Sequence, residues 1–136
     1  MATGLHLKIV TPEGIHWEGD IDSVTLPGRE GEMGILPGHI ALASQIVAGE
    51  LTVQQNGKTL FLAVGDGFVE VTSSRVTILT DMAVAAADID EAQVELAKKQ
   101  AEARLQQKLS AEEIAAAQSA LAQSIALLRV KRTRSK

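Results

Sequence analysis

The sequence predicts a two-part β + α chain: an N-terminal all-β sandwich of about ten short strands, then a C-terminal antiparallel hairpin of two helices. Three observations carry this. Up to about residue 84, apolar residues recur at every second position, as in strands with one buried face. Turn formers break that alternation at short intervals, which is the spacing of a sandwich or barrel. From Asp88 the apolar period becomes three and four, and two helix-start signals appear. The division falls near Ala85-Ala86-Ala87, giving a sandwich domain over 1–84 and a hairpin domain over 85–136.

Leu5, Leu7 and Ile9 alternate with His6 and Lys8, and Leu60, Leu62 and Val64 share one face. Val69 with Val71, then Val76 with Ile78, continue the pattern. Asn56-Gly57 is the sharpest turn, because both residues tolerate positive φ and suit a two-residue hairpin connection. Gly65-Asp66-Gly67 and Ser73-Ser74 mark further breaks, the first read as a bulge or tight turn.

In the second part, Asp88 with Glu91 reads as a helix N-cap and its return partner, and Val94, Ala97, Ala101 and Leu105 then fall on one face. Ser110-Ala111-Glu112-Glu113 is a serine capping box opening a second helix. Ile114, Ala117, Leu121, Ile125 and Leu128 form its expected apolar stripe. Two such helices with a short connection make an antiparallel pair.

Composition narrows the chemistry. Of 136 residues, 46% are hydrophobic, which supports a packed core. The only aromatics are Trp17, Phe61 and Phe68, so the core is aliphatic and stacking on nucleic-acid bases is disfavoured. With no cysteine there is no disulfide, thiol catalysis or thiolate metal site. No signal peptide or apolar run of membrane-spanning length is visible, so membrane association is expected only through partners. His6, His16 and His39 lack metal-ligand spacing, His6 is expected to face solvent, and no nucleophile or orienting partner neighbours His39. No catalytic residue and no metal site is therefore expected. The net charge of −4 is divided: residues 1–87 carry −6, and 88–136 carry +2, concentrated at Arg129, Lys131, Arg132, Arg134 and Lys136. An acidic body with a basic tip suits a tail that meets an acidic surface.

The most informative segment runs from Leu26 to His39. Breakers at Pro27, Gly28, Gly31, Gly34, Pro37 and Gly38 exclude a helix, while Met33, Ile35 and Leu36 are too apolar for a free loop. A short buried strand between two tight turns is expected, with Glu32 and His39 at its ends. The glycines match neither G-x-x-x-x-G-K-(S/T) nor G-x-G-x-x-G, so a phosphate cradle is rejected. Gly31-Glu32-Met33-Gly34-Ile35-Leu36-Pro37-Gly38-His39 resembles the G-E-x-G-I-x-P-G-H segment of the epsilon subunit of F-type ATP synthases, and the resemblance covers essentially the whole chain.

That resemblance implies a non-catalytic rotor subunit whose sandwich binds the gamma subunit and rests on the membrane ring of c subunits. Glu32 and His39 occupy the positions implied to contact the ring. The hairpin is implied to regulate ATP hydrolysis, either folded on the sandwich or extended toward the catalytic beta (and alpha) subunits. If straightened, some 43 residues at ~1.5 Å each reach roughly 65 Å. The basic tail Arg129, Lys131, Arg132 and Arg134 is expected to form the inhibitory contact. The place implied is peripheral, at the cytoplasmic face of a bacterial inner membrane or on a thylakoid. Members that bind ATP carry (I/L)-D-x-x-R-A at the first helix and another arginine seven residues on. Here Ile89 and Asp90 match, but Gln93 and Gln100 replace both arginines, so nucleotide binding is expected to be weak or absent. The competing reading is a free-standing β-sandwich binding module that self-associates through its hairpin.

Overall fold

The alternating half folds into ten strands in the computed structural model, which describes residues 4–134. They are β1 (Leu5–Thr11), β2 (Gly14–Ile21), β3 (Ser23–Gly28), β4 (Gly31–Ile35), β5 (Leu42–Ile46), β6 (Gly49–Gln55), β7 (Lys58–Val64), β8 (Gly67–Val71), β9 (Arg75–Thr80) and β10 (Ala83–Ala85). A 3-10 turn over Ala86–Asp88 leads to α1 (Glu91–Leu105) and α2 (Ala111–Arg134). Lys136, counted in the expected basic cluster, lies outside the described residues.

The hydrogen-bonded strand order is β10-β7-β6-β3-β5-β8-β9-β1-β2, with β4 on β3. Every pairing is antiparallel except β1 with β9. At β3 and β5 the path is held by the single pair Gly28–Ile46, so the sheet turns there and folds into two facing layers. The far end is tied back to β6 by Asp22 N–H donating to the Gln54 carbonyl at 2.8 Å and by the Gln55 amide donating to the Asp20 carbonyl at 2.7 Å. Leu5, Leu7, Ile9, Leu26, Leu51, Val53, Val64, Val69 and Ile78 are buried between the layers, as their alternation requires.

The turns follow their chemistry. Asn56 (φ 52°) and Gly57 (φ 77°) join β6 to β7 beyond the Gln55–Lys58 pair, the two-residue connection their tolerance of positive φ allows. After β7, Gly65 N–H donates to the Met82 carbonyl at 2.9 Å. The buried Thr80 hydroxyl lies 3.0–3.2 Å from the carbonyls of Gly65, Asp66 and Met82. Gly67 has no room for a side chain, since a Cβ there would sit 1.9 Å from the Leu79 carbonyl oxygen.

The hairpin differs from expectation in two details. The N-cap of α1 is Asp90, not Asp88: Asp90 is extended and its carboxylate accepts from the Ala92 and Gln93 N–H groups, while Asp88 is absorbed into the 3-10 turn. Ala97, Ile114 and Ile125 lie at the surface, although Ala101, Ala117 and Leu128 are buried. The reason is that α2 has two covered sides. Val130 and Leu127 pack on the cluster around Ala63 of β7, and α2 also packs along α1, so Ala117, Ser124, Ala126 and Leu128 are buried while Ile114 and Ile125 are not. The Ser110 capping box forms in both directions, with the Glu113 N–H donating to Ser110 Oγ at 3.2 Å and the Ser110 N–H donating to Glu113 at 3.1 Å.

Strand β1 carries an ionic cluster on its outer side. His6 bridges Glu18 (2.8 Å) and Asp20 (2.9 Å) on β2. The Glu18 hydrogen bond, and then that of Asp20, raise the imidazole pKa above its ordinary 6.5. A raised folded-state value stabilises the fold fully below the ordinary value and loses that contribution as pH rises through the folded one. Thermal melts should therefore show Tm falling by about 1–2 °C between pH 6 and 9 in a manner that His6→Gln removes; an unchanged pH profile in His6→Gln would show the cluster to be neutral. Gly67→Ala should destabilise by roughly 1–3 kcal/mol in urea unfolding, because the Leu79 backbone must move; a wild-type midpoint would contradict the close approach.

Candidate functional site: an exposed turn and a docked basic helix end

The Gly31–His39 segment forms β4 and the turn after it. Met33 is half-buried and Ile35 fully buried against the core, as a short inward strand requires. Leu36 departs from expectation: it is 64% exposed, because the chain leaves the sheet at Ile35 and turns through Pro37-Gly38. Gly38 has φ 83°, and the His39 N–H closes the turn on the Leu36 carbonyl at 3.2 Å. Ile40, at 82% exposure, follows directly. Glu32 lies within β4 rather than at its end, paired with Pro27 and exposed. Its register places it away from His39, whose Nδ1 lies 2.7 Å from the Ile40 carbonyl. The two residues share a segment but not a contact, so they form no acid–base pair.

The basic end of α2 is engaged, not free. Arg132 bridges Glu91 (3.1 Å) and Glu95 (2.6 Å), tying the end of α2 to the start of α1. Arg134 donates two hydrogen bonds to Glu50 on β6, both 2.8 Å, with its guanidinium 4.1 Å from the centre of the Phe61 ring. The carboxylate bonds raise the pKa of both arginines, keeping them charged. The Lys131 ammonium is 3.5 Å from the Ala86 carbonyl. Arg129 is exposed, at the rim of a cleft also lined by Glu32, Glu50 and Arg134.

At the start of α1, Ile89 is buried with Ala63 and Val130, and Asp90 caps the helix. Both residues of the partial nucleotide motif thus have structural duties. Gln93 and Gln100 are exposed, as is Lys99; Lys98 is half-exposed, and Arg104 is paired with Glu113 at 3.3 Å.

Sequence reasoning missed a surface row. Ile15 pairs with Val10, Val10 with Leu79, and Leu79 with Phe68, across β2, β1, β9 and β8. Ile15, Leu79 and Phe68 are 52–62% exposed. These side chains point away from the core, in the phase of the alternation that should be polar. Their signal was present in the sequence as apolar residues in the wrong phase, a sign of a face that meets something.

Comparison with known proteins covers both halves. Residues 4–86 match the family described as "ATP synthase, Delta/Epsilon chain, beta-sandwich domain", and residues 87–132 match "ATP synthase, Delta/Epsilon chain, long alpha-helix domain". The ATP synthase epsilon chain of Nitratidesulfovibrio vulgaris (strain DP4) is 42% identical over 131 residues, covering 96% of this chain and 98% of that one. The epsilon chain of Desulforamulus reducens is 43% identical over 125 residues, covering 92% and 95%. Among solved structures, a chain of the Euglena gracilis mitochondrial ATP synthase (OSCP/F1/c-ring) aligns with a TM-score of 0.77 at 27% identity, covering 92% of this chain and 79% of that one. A chain of the Tetrahymena thermophila mitochondrial ATP synthase central stalk/c-ring shares the fold, with a TM-score of 0.67 at 14% identity and coverage of 93% and 96%.

Proposed function

This chain belongs to the delta/epsilon family of ATP synthase subunits, as a non-catalytic epsilon-type chain of the rotary complex, and on that premise we propose that it joins the gamma subunit to the c-ring and brakes ATP hydrolysis through its helices. The observation that supports this best is the likeness to epsilon chains over nearly the full length of both partners.

The geometry supplies a surface for each contact. Gamma takes the apolar row of Ile15, Val10, Leu79 and Phe68, a flat patch on rigid strands. The ring takes the turn from Glu32 to His39, where Leu36 and Ile40 add exposed apolar contact beside the polar groups. The brake is the basic end of α2, whose Arg129, Lys131, Arg132 and Arg134 meet acidic surface on the beta (and alpha) subunits when the hairpin extends. The subunit then sits peripherally on the cytoplasmic face of a bacterial inner membrane or on a thylakoid, through these partners; no described helix is long and apolar enough to cross a membrane.

The alternative, a free-standing module self-associating through the hairpin, has less support. Of the stripe it needs, Ala117 and Leu128 are already buried within this one chain, which leaves Ile114 and Ile125 as separated exposed positions rather than a continuous face.

Tight nucleotide control is not part of the reading. Gln93 and Gln100 lack the charge and the planar fork that arginine offers phosphate. Each charge-assisted bond lost is worth about 1.5–3 kcal/mol, so two losses weaken binding by roughly a hundredfold or more.

Two measurements check these assignments. Phe68→Gln with Leu79→Thr should strongly weaken a stoichiometric complex with gamma while leaving the circular dichroism melt near wild type, since both side chains are more than half exposed and the new cross-strand pair is uncharged; retained binding would move the gamma surface elsewhere. Isothermal titration of the isolated subunit with ATP should give no micromolar binding, and Gln93→Arg with Gln100→Arg should tighten it. A micromolar Kd in the natural sequence would assign phosphate recognition to Lys98, Lys99 or Arg104.

A further inference from the structure

Two of the arginines expected to act as a brake are engaged within the subunit in this conformation, and one of them, Arg134, holds the hairpin to the sandwich. Arg134 is the point of closure. Its guanidinium makes a two-bond fork with Glu50, whose side chain is only 20% exposed, and lies 4.1 Å over the Phe61 ring. Glu50 is the second residue of β6 and Phe61 lies on the neighbouring β7, so the arginine is seated on the sandwich rather than on its own domain. Glu32 faces the same cleft and adds a second negative charge toward Arg134. Arg132, two residues earlier on α2, points instead to Glu91 and Glu95 of α1. One arginine therefore closes the hairpin on itself, and the other closes the hairpin on the sandwich.

The packing beneath makes such a clasp matter. Among the described residues, the apolar cluster between α2 and the sandwich has Ala63, Ile89 and Val130 buried, with Met82, Val84, Ala86, Val94 and Leu127 half-buried against it. Most of the larger members are only half-buried, so the seam gains less than a closed core would, and a partly buried bidentate ion pair at its end adds to what holds it.

We propose that Arg134–Glu50, stacked on Phe61, is an autoinhibitory clasp on the brake itself: the carboxylate of the sandwich competes with the acidic surface of the complex for the same arginine. This rests on the braking role of the extended hairpin, but it makes an opposite demand on two substitutions that an always-available tail would not. Removing Arg134 loosens the docked state and also weakens the brake. Glu50→Gln loosens the docked state and leaves the tail intact, so it strengthens the brake.

The test uses the full-length subunit, alone and assembled. In the isolated subunit, Glu50→Gln should speed amide hydrogen exchange in the last two turns of α2 by roughly five- to tenfold, with the sandwich core unchanged. Phe61→Leu, which keeps an apolar side chain but removes the ring face, should do the same to a smaller extent. Raising salt should speed exchange in the wild type and barely affect Glu50→Gln. Exchange in Glu50→Gln identical to wild type would overturn the clasp. In the assembled enzyme, Glu50→Gln should lower ATP hydrolysis below wild type, whereas Arg134→Gln should not. Faster exchange in Glu50→Gln with unaltered hydrolysis would leave the clasp standing and overturn the braking role of the tail.

Discussion

Strand β7 is covered on both faces, and most of the architecture follows from that. Leu62 and Val64 fill the core between the two sheet layers, while Ala63, on the opposite face, is fully buried beneath the helices. A strand in the middle of a sandwich layer ordinarily gives one face to water. Here the second face is small where the helix crosses, because Ala63 must admit the close approach of Val130. The same strand pairs with β10, which delivers the chain through a short 3-10 turn to Ile89 and α1. The hairpin is thus anchored at its start by Ile89 and laid back over its own strand.

From this constraint follows the character of the docking. Alanine-rich helices approach closely but bury little area, so van der Waals contact is good and hydrophobic stabilisation modest. Polar closures sit at the ends: Asp90 caps the start of α1, the Ser110–Glu113 box starts α2, and the arginines of the last turns finish it. Such a hairpin is well formed internally and lightly held externally. That division of stability would let the hairpin leave its seat as a unit, as the proposed brake requires.

The two other surfaces are of a different kind. The apolar row across β2, β1, β9 and β8 is presented by paired strands, so its side chains are held in register before any partner arrives. The turn after β4 is likewise braced, by the buried Ile35 on one side and the closed backbone at Gly38 and His39 on the other. On the proposed reading, the braced surfaces of the sandwich would carry the permanent contacts and the lightly held hairpin the switchable one.

Much of this was legible in the chain. Alternation placed Leu5, Leu7, Ile9, Val69, Val71, Val76 and Ile78 in the core, Asn56-Gly57 dictated a two-residue turn, and Ser110 with Glu113 wrote its own cap, because each depends on residues close in sequence. The Gly31–His39 segment likewise carried its strand and turn. What local pattern could not decide was which neighbour a side chain would find. Asp88 and Asp90 are equally good caps in isolation, and only the 3-10 turn forced by the β10 junction left the role to Asp90. Phe61 and Ala63 look like the wet face of a strand until α2 covers them. Arg134 looks like a solvated helix end, and Glu50, 84 positions away, becomes its partner only when the hairpin folds back onto β6. Periodicity and turn chemistry are short-range and can be read along the chain; the pairing of distant charges depends on how the finished layers stack, and only the tertiary structure decides it.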